Sequence, residues 1–272
     1  MKEKPYVKVA MYALNIIFAI IIIVPVIYCF NVSMMDLKEI YGGKFWPSHL
    51  TIENYTRAFQ LAPFFTFIKN SLIVSGVITF AQVVTGALAA YAFAMMEFKG
   101  KKVLFYIMLA TMMIPPQVMI VSRFVIMQKM GLYNTHMGII LMTMFSLYGV
   151  FLLRQAMMGI PDSLCESAKI DGAGHLRIFF QIVFPLIKPS IATLAVLKFV
   201  WTWNDYQTPL IFLSNRMLFT IQLGMKLFAS ESGSIYSLTM AAAVSATLPL
   251  ILLFLCGQRY IIEGIASGAV KG

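Results

Sequence analysis

The stretch CESAKIDGAGHLRIFFQIVFPLIKP, residues 165–189, does not fit its surroundings. It is polar and hinged on glycines, in a chain that is 60% hydrophobic and only 12% charged. A mean hydropathy of +0.83 lies far outside the range of soluble globular domains. On either side of the stretch the chain reads as apolar runs. Crossing a hydrocarbon core takes roughly 20 apolar residues, and six runs qualify: 9–32, 71–96, 103–127, 135–153, 189–212 and 238–260. In lipid every backbone polar group must be satisfied internally, so these runs are expected to be helices. No ten-residue alternation points to a barrel. The expectation is an all-α, polytopic membrane protein with six transmembrane helices. The 272 residues form one membrane domain, with its core at 71–260 and a loop at 161–189. The first run follows Lys2, Lys4 and Lys8 as a signal peptide would. It is too long for a signal core and lacks a small-x-small cleavage site, so it is read as a retained span.

The net charge of +10 raises a nucleic-acid reading, but the charges are scattered by topology rather than gathered into a patch. With six spans and the N-terminus inside, twelve of the 21 basic residues fall on the cytoplasmic side and eight outside, Arg123 among the latter. The bias is carried by the N-terminus and the short loop at 97–102, where positive charge governs orientation best. Both termini are therefore expected in the cytoplasm, and with them the 165–189 stretch. Cys29 and Cys256 sit in spans, Cys165 in a cytoplasmic loop, and His49, His136 and His175 in separate loops, so no metal site is expected. The 20 methionines read as adaptable packing.

Within the loop, Pro161 and Asp162 open a first short helix, whose acidic residues Asp162 and Glu166 suit its positive end. Gly172 or Gly174 stops it by taking a left-handed conformation. A second segment begins at His175 and runs to Pro185 and Pro189, which are expected to break or kink it before the next span. On physical grounds two readings stand: an amphipathic loop resting on the membrane, or a docking surface for a cytosolic partner.

The spacing resembles the EAA loop of permease subunits of binding-protein-dependent ATP-binding-cassette importers. That pattern runs Glu-Ala-Ala, three residues, Gly, nine residues, Ile, one residue, Leu-Pro. Glu166, Ala168, Gly172, Ile182 and Pro185 match it, with Ser167 in place of the middle Ala and Phe184 in place of the Leu. NSLIVSG (70–76), AAYAFAMMEFKGKKVLF (89–105), MMIPPQVMIV (112–121), TWNDYQTPLIFL (202–213) and QRYIIEGIASGAVKG (258–272) are similar to the carbohydrate-uptake branch, the maltose-permease-like subunits.

The resemblance implies a permease subunit of the bacterial cytoplasmic membrane that pairs with a second, different permease and takes a sugar or oligosaccharide from an extracytoplasmic binding protein. It implies that the loop is a cytoplasmic coupling helix seated on a separate ATPase dimer, which would hold the ATP and Mg. Glu166, Ser167, Ala168, Asp171, Gly172 and Ala173 are then the coupling residues. Glu166 and Asp171 would offer charge to the partner, and Ala168 and Ala173 close approach. Phe179, Ile182 and Phe184 would pack the loop onto this chain's own helices. The chain has no phosphate loop of its own, since GKK at 100–102 lacks both the earlier glycine and the hydroxyl residue. It is therefore expected to be neither the ATPase nor any other enzyme.

For the substrate path the fifth run offers Lys198, Thr202 and Asp205, spaced to share one helix face. Asp205 would lie about 24 Å along the axis from Pro189. Trp203 and Asn204 stand beside them, and Gln82 adds a polar group from the second run. Ionisable residues inside a membrane face a water-filled cavity or a partner, so these residues line the path or pack against the other permease. Ser75, Thr79, Gln82, Gly86 and Ala90 form a small-residue stripe, the mark of close helix packing. Pro115–Pro116 makes a hinge or a plain kink. Residues 214–237 are long enough to touch a docked binding protein. Two rivals remain in view. One keeps the machinery and changes the cargo to glycerol phosphoesters, which Lys198 would suit; the other, an ion-coupled secondary transporter, would need mid-membrane carboxylates and an internal repeat, and only Asp205 comes near.

Overall fold

The structure, a computed structural model, describes residues 5–231 and 235–269, with side chains placed for 6–229 and 235–259. Among them all regular structure is helical. The chain divides into two compact units: the part up to Phe65 with Gly224–Leu248, and Thr66–Leu223 with the part from Pro249 onward.

In the first unit α1 (Pro5–Ser33) is one uninterrupted apolar helix. Its side chains from 6 to 28 are all exposed, which suits a helix whose solvent is lipid. The end of α1 is held by Asn54, whose Nδ2 donates to Ser33 O at 3.0 Å and Met35 O at 2.9 Å. Two short helices follow, α2 (Leu37–Tyr41) and α3 (Glu53–Leu61).

The remaining elements are α4 (Phe64–Met95), α5 (Lys101–Thr111), α6 (Ile120–Lys129), α7 (His136–Thr143), α8 (Leu147–Met157), α9 (Asp162–Ile170), α10 (His175–Leu186), α11 (Lys188–Trp203), α12 (Gln207–Phe212), α13 (Ile221–Glu231) and α14 (Tyr236–Ala269). Of the six expected spans, α1, α4 and α14 are continuous helices long and apolar enough to cross a membrane. The fourth run is the pair α7 and α8, bent by 42°. Thr135 and Ser146 cap these two helices by accepting from the backbone N–H of Gly138 and Gly149.

The third run is not one helix. α5 ends at Thr111 and α6 starts at Ile120, with turns between them. Pro115 and Pro116 lack the N–H that helical pairing needs, and each disfavours the helical conformation of the residue before it. The fifth run also departs from expectation, because α11 stops at Trp203 and α12 restarts at Gln207.

The small-residue stripe of α4 packs closely, as expected. A Cβ on Gly86 would sit 3.5 Å from the carbonyl carbon of Gly149 on α8, and one on Gly149 would sit 3.1 Å from Leu194 Cδ2 on α11. Gly138 is tighter still, since a Cβ there would overlap the Leu132 carbonyl oxygen. Gly138→Ala is therefore expected to destabilise the protein by ~1–3 kcal/mol through overpacking. The check is a lower unfolding midpoint in detergent; an unchanged midpoint would mean that the turn before α7 yields freely.

Candidate functional site

The polar stretch folds as a helix pair. Pro161 stands at the N-cap of α9, Asp162 lies in its first turn and Lys169 in its last, each matched to the helix dipole. Gly172, not Gly174, makes the turn: its φ is +79°, while Gly174 has φ −74°. The last turn of α9 closes by Gly172 N–H donating to Lys169 O at 3.0 Å and Ala173 N–H to Ala168 O at 2.9 Å. A Cβ on Gly172 would meet nothing within 4 Å, so conformation rather than space demands glycine there.

The helix α10 runs through Pro185 instead of breaking at it. A π-helical turn at Phe179–Val183 precedes the proline, and such a turn re-spaces the carbonyls that a regular helix would press against the ring. The sharp bend comes after Leu186, where α10 and α11 meet at 77°. Pro189 lies in the first turn of α11, where its missing N–H costs nothing.

One side of the pair is anchored. Cys165, Ile178, Phe179 and Val183 are buried in a cluster with Tyr91 of α4 and Leu153 of α8. The Phe179 ring lies 5.3 Å from that of Tyr91, edge to face, and Ile182 and Phe184 pack at the margin. Ala168 and Ala173 also pack against this cluster, so the close approach they permit is to their own chain. The other side is open. Glu166, Ser167, Asp171 and Gly172 are exposed, beside Ile170 at 86% and Leu176 at 69% exposure. The Ser167 hydroxyl donates to Ser163 O at 2.9 Å, while Glu166 has no hydrogen bond or ion pair among the described residues.

Burial pushes the Cys165 thiol above its ordinary pKa, with Lys169 opposing and Asp162 reinforcing the shift. A raised folded pKa means that stability falls as pH rises from the unfolded value through the folded one. It also means less thiolate at pH 8 than an unhindered cysteine carries. Alkylation of Cys165 at pH 8 is expected to be several-fold slower in the folded protein than in the denatured chain, and equal rates would show that the loop is not anchored.

A second feature is a cavity of about 570 Å³ lined from α4, α6, α7, α11 and α12. It gathers four of the six residues expected on a substrate path: Gln82, Lys198, Thr202 and Asp205. The other two lie elsewhere. Trp203 is buried and stacked on Phe199, with ring centroids 5.7 Å apart. Asn204 is exposed at the end of α11, donating to Val200 O and accepting from Gln222. Asp205 is beyond the helix rather than on it, and its Oδ1 accepts from Thr208 N–H at 3.1 Å, as a cap does for α12. The Lys198 ammonium stands 4.5 Å from the Trp201 ring centre and 5.3 Å from that of Tyr148. Gln82 Nε2 donates to Thr143 O.

Arg123, counted there among the outer charges, and Thr220, brought in by the chain beyond α12, are among the lining residues that the sequence did not single out. That chain is pinned. Asn134, with φ 58°, accepts through Oδ1 from Ser214 and Asn215 N–H. Asn70 donates to Met217 O and Phe219 O, and Ser71 Oγ accepts from Ile221 N–H at 2.7 Å. The first part of 214–237 is therefore a fixed wall; residues 232–234 lie outside the described residues.

The family described as "Binding-protein-dependent transport system inner membrane component" matches residues 82–266. The chain is 36% identical over 254 residues to the "Melibiose/raffinose/stachyose import permease protein MelC" of Bacillus subtilis (strain 168), covering 90% of each. It is 30% identical to the "Trehalose/maltose transport system permease protein MalG" of Thermococcus litoralis, over the whole of both chains. Among solved structures it superimposes on a chain of a bacterial ABC transporter involved in the import of the acidic polysaccharide alginate. The TM-score is 0.83 at 24% identity, covering 96% of this chain and 98% of that one, which shows a shared fold.

Proposed function

Because the chain belongs to the inner membrane components of binding-protein-dependent transport systems, a family of multi-pass membrane proteins that are permeases rather than enzymes, we propose that it is one of two permease subunits of an ATP-driven importer of a sugar or oligosaccharide. The observation that carries the reading is the helix pair α9 and α10. Its inner side is locked into the transmembrane core, and its outer side presents Glu166, Ser167, Ile170 and Asp171 with no covering partner among the described residues. A rigid element exposed in this way transmits a displacement from a docked protein to the helices behind it.

In this reading Glu166, Ser167, Asp171 and Gly172 face a separate ATPase dimer, which holds the ATP and Mg, while Ala168 and Ala173 seat the loop on its own chain. The loop and both termini lie in the cytoplasm. The broken pair α5 and α6 makes a sixth span together with the three continuous helices, the bent pair α7 and α8, and α11 with α12. The cavity around Gln82, Lys198, Thr202 and Asp205 belongs to the solute path, and an extracytoplasmic binding protein delivers the solute. The sugar assignment is supported by relatives whose names specify melibiose, raffinose, stachyose, trehalose and maltose.

The test is uptake of labelled melibiose, trehalose and arabino-oligosaccharides by cells with and without the gene. Loss of at least one of these uptakes, restored by the wild-type chain, is the expected result. Unchanged uptake of all of them, with loss of glycerol phosphoester uptake, would replace the sugar by that cargo.

A further inference from the structure

Resting on the reading of the cavity as solute path, we infer that the solute it takes is a polyhydroxylated molecule carrying an anionic group, a carboxylate or a phosphate ester, and that Lys198 and Arg123 select it. Three observations support this.

The first is unsatisfied polarity. Gln82 and Thr220 are only 7% and 4% exposed, and both line the cavity. Gln82 Oε1 and Thr220 Oγ1 have no hydrogen-bond partner. Since Gln82 Nε2 donates to Thr143 O, the atom left over is an acceptor. A buried polar atom without a partner is costly and is rarely kept. An acceptor and a hydroxyl left without partners in the wall of a cavity of about 570 Å³ become available to the hydroxyl groups of a polyol once the two side chains turn toward it.

The second is charge. The cavity holds Lys198, Arg123 and one carboxylate, Asp205. Among the described residues neither cation forms an ion pair. Asp205 spends one oxygen on Thr208 N–H. Two cations against one carboxylate leave this chain's share of the cavity with an excess of one positive charge, and ionisable groups at membrane depth are expected to have partners. A monoanionic solute balances the count.

The third is geometry. The Lys198 ammonium lies over the faces of Trp201 and Tyr148, which hold it without neutralising it. Trp201 itself lines the cavity, so an apolar sugar face has a ring to lie on beside the cation.

The experiment uses the complete importer in proteoliposomes, with its own binding protein, and three probes: trehalose, trehalose 6-phosphate and digalacturonate. The binding protein also discriminates, but it is the same in every arm, so a change of preference on mutating this chain belongs to this chain. A charge-assisted hydrogen bond corresponds to about tenfold to a hundredfold in affinity. The expected result is that one anionic probe enters about tenfold faster than trehalose, and that Lys198→Met or Arg123→Gln cuts this ratio about tenfold in complexes purified at wild-type yield. Which anionic probe is faster decides between phosphate and carboxylate. Equal or faster entry of trehalose, or a ratio unmoved by both variants, overturns the inference. If Gln82→Leu then still slows every probe, the solute path stands and only the anion is lost. If Gln82→Leu slows none, the path itself is wrong.

Discussion

Glu166→Ala is expected to lower coupled uptake at least tenfold while the protein inserts, folds and accumulates as the wild type does. The second half of that expectation comes from the structure: Glu166 is exposed and has no partner among the described residues, so its removal leaves nothing unsatisfied. The first half comes from its position on the open side of an anchored helix, where a carboxylate can meet a basic group of the proposed ATPase partner. A charge-assisted contact of about 1.5–3 kcal/mol corresponds to roughly tenfold to a hundredfold in binding. Charge reversal, Glu166→Lys, should be worse, because like charges at an interface cost more than a missing partner. Uptake and ATPase retention are measured side by side. A Glu166→Ala protein that fails to accumulate would show a structural role instead.

Phe179→Ala has the opposite signature. The side chain is 3% exposed and makes ring contacts with Tyr91, Phe180 and Phe184 at 4.9–6.0 Å. Truncating a buried phenylalanine costs about 3–5 kcal/mol, and here the loss falls where the loop meets α4. The unfolding midpoint in detergent should drop sharply, and Cys165 beneath the same helix pair should become quick to alkylate. Phe179→Leu, which keeps most of the volume, should lose much less. A Phe179→Ala protein with wild-type stability and a shielded Cys165 would mean that the loop is held by something other than this cluster.

What the sequence showed, and what it hid, follows from the range of the forces involved. The continuous helices were legible because α1, α4 and α14 are uninterrupted apolar runs, and hydropathy reads such runs directly. The break between α5 and α6 was harder to place, because Met112, Met113, Ile114 and Val118 around Pro115–Pro116 are as apolar as the helices beside them. Asp205 was assigned to a helix face by spacing; the backbone turns at Asn204, yet the residue still reaches the cavity that holds Lys198. Gly172 and Gly174 were interchangeable on paper, since either can adopt a positive φ, and only the hydrogen bonds of the last turn of α9 choose between them. Ala168 and Ala173 are small enough for a partner or for their own core, and size alone could not say which. Thr220 depended on a loop pinned from Asn70, Ser71 and Asn134, contacts 80 and more residues apart in the chain. Arg123 carried a signal that was missed, a lone arginine in the apolar run 103–127.

The claim at the centre is that the helix pair α9 and α10 couples this chain to an ATPase that is a separate polypeptide. The most direct measurement is co-purification of the tagged chain with the ATPase encoded near it, followed by ATP hydrolysis in proteoliposomes with solute-loaded binding protein. The account predicts that the wild type retains the ATPase and that loaded binding protein stimulates hydrolysis. It predicts that Glu166→Ala and Gly172→Pro lose either the ATPase or the stimulation. A wild-type chain that purifies without any ATPase, or loop variants that hydrolyse and transport like the wild type, would contradict it.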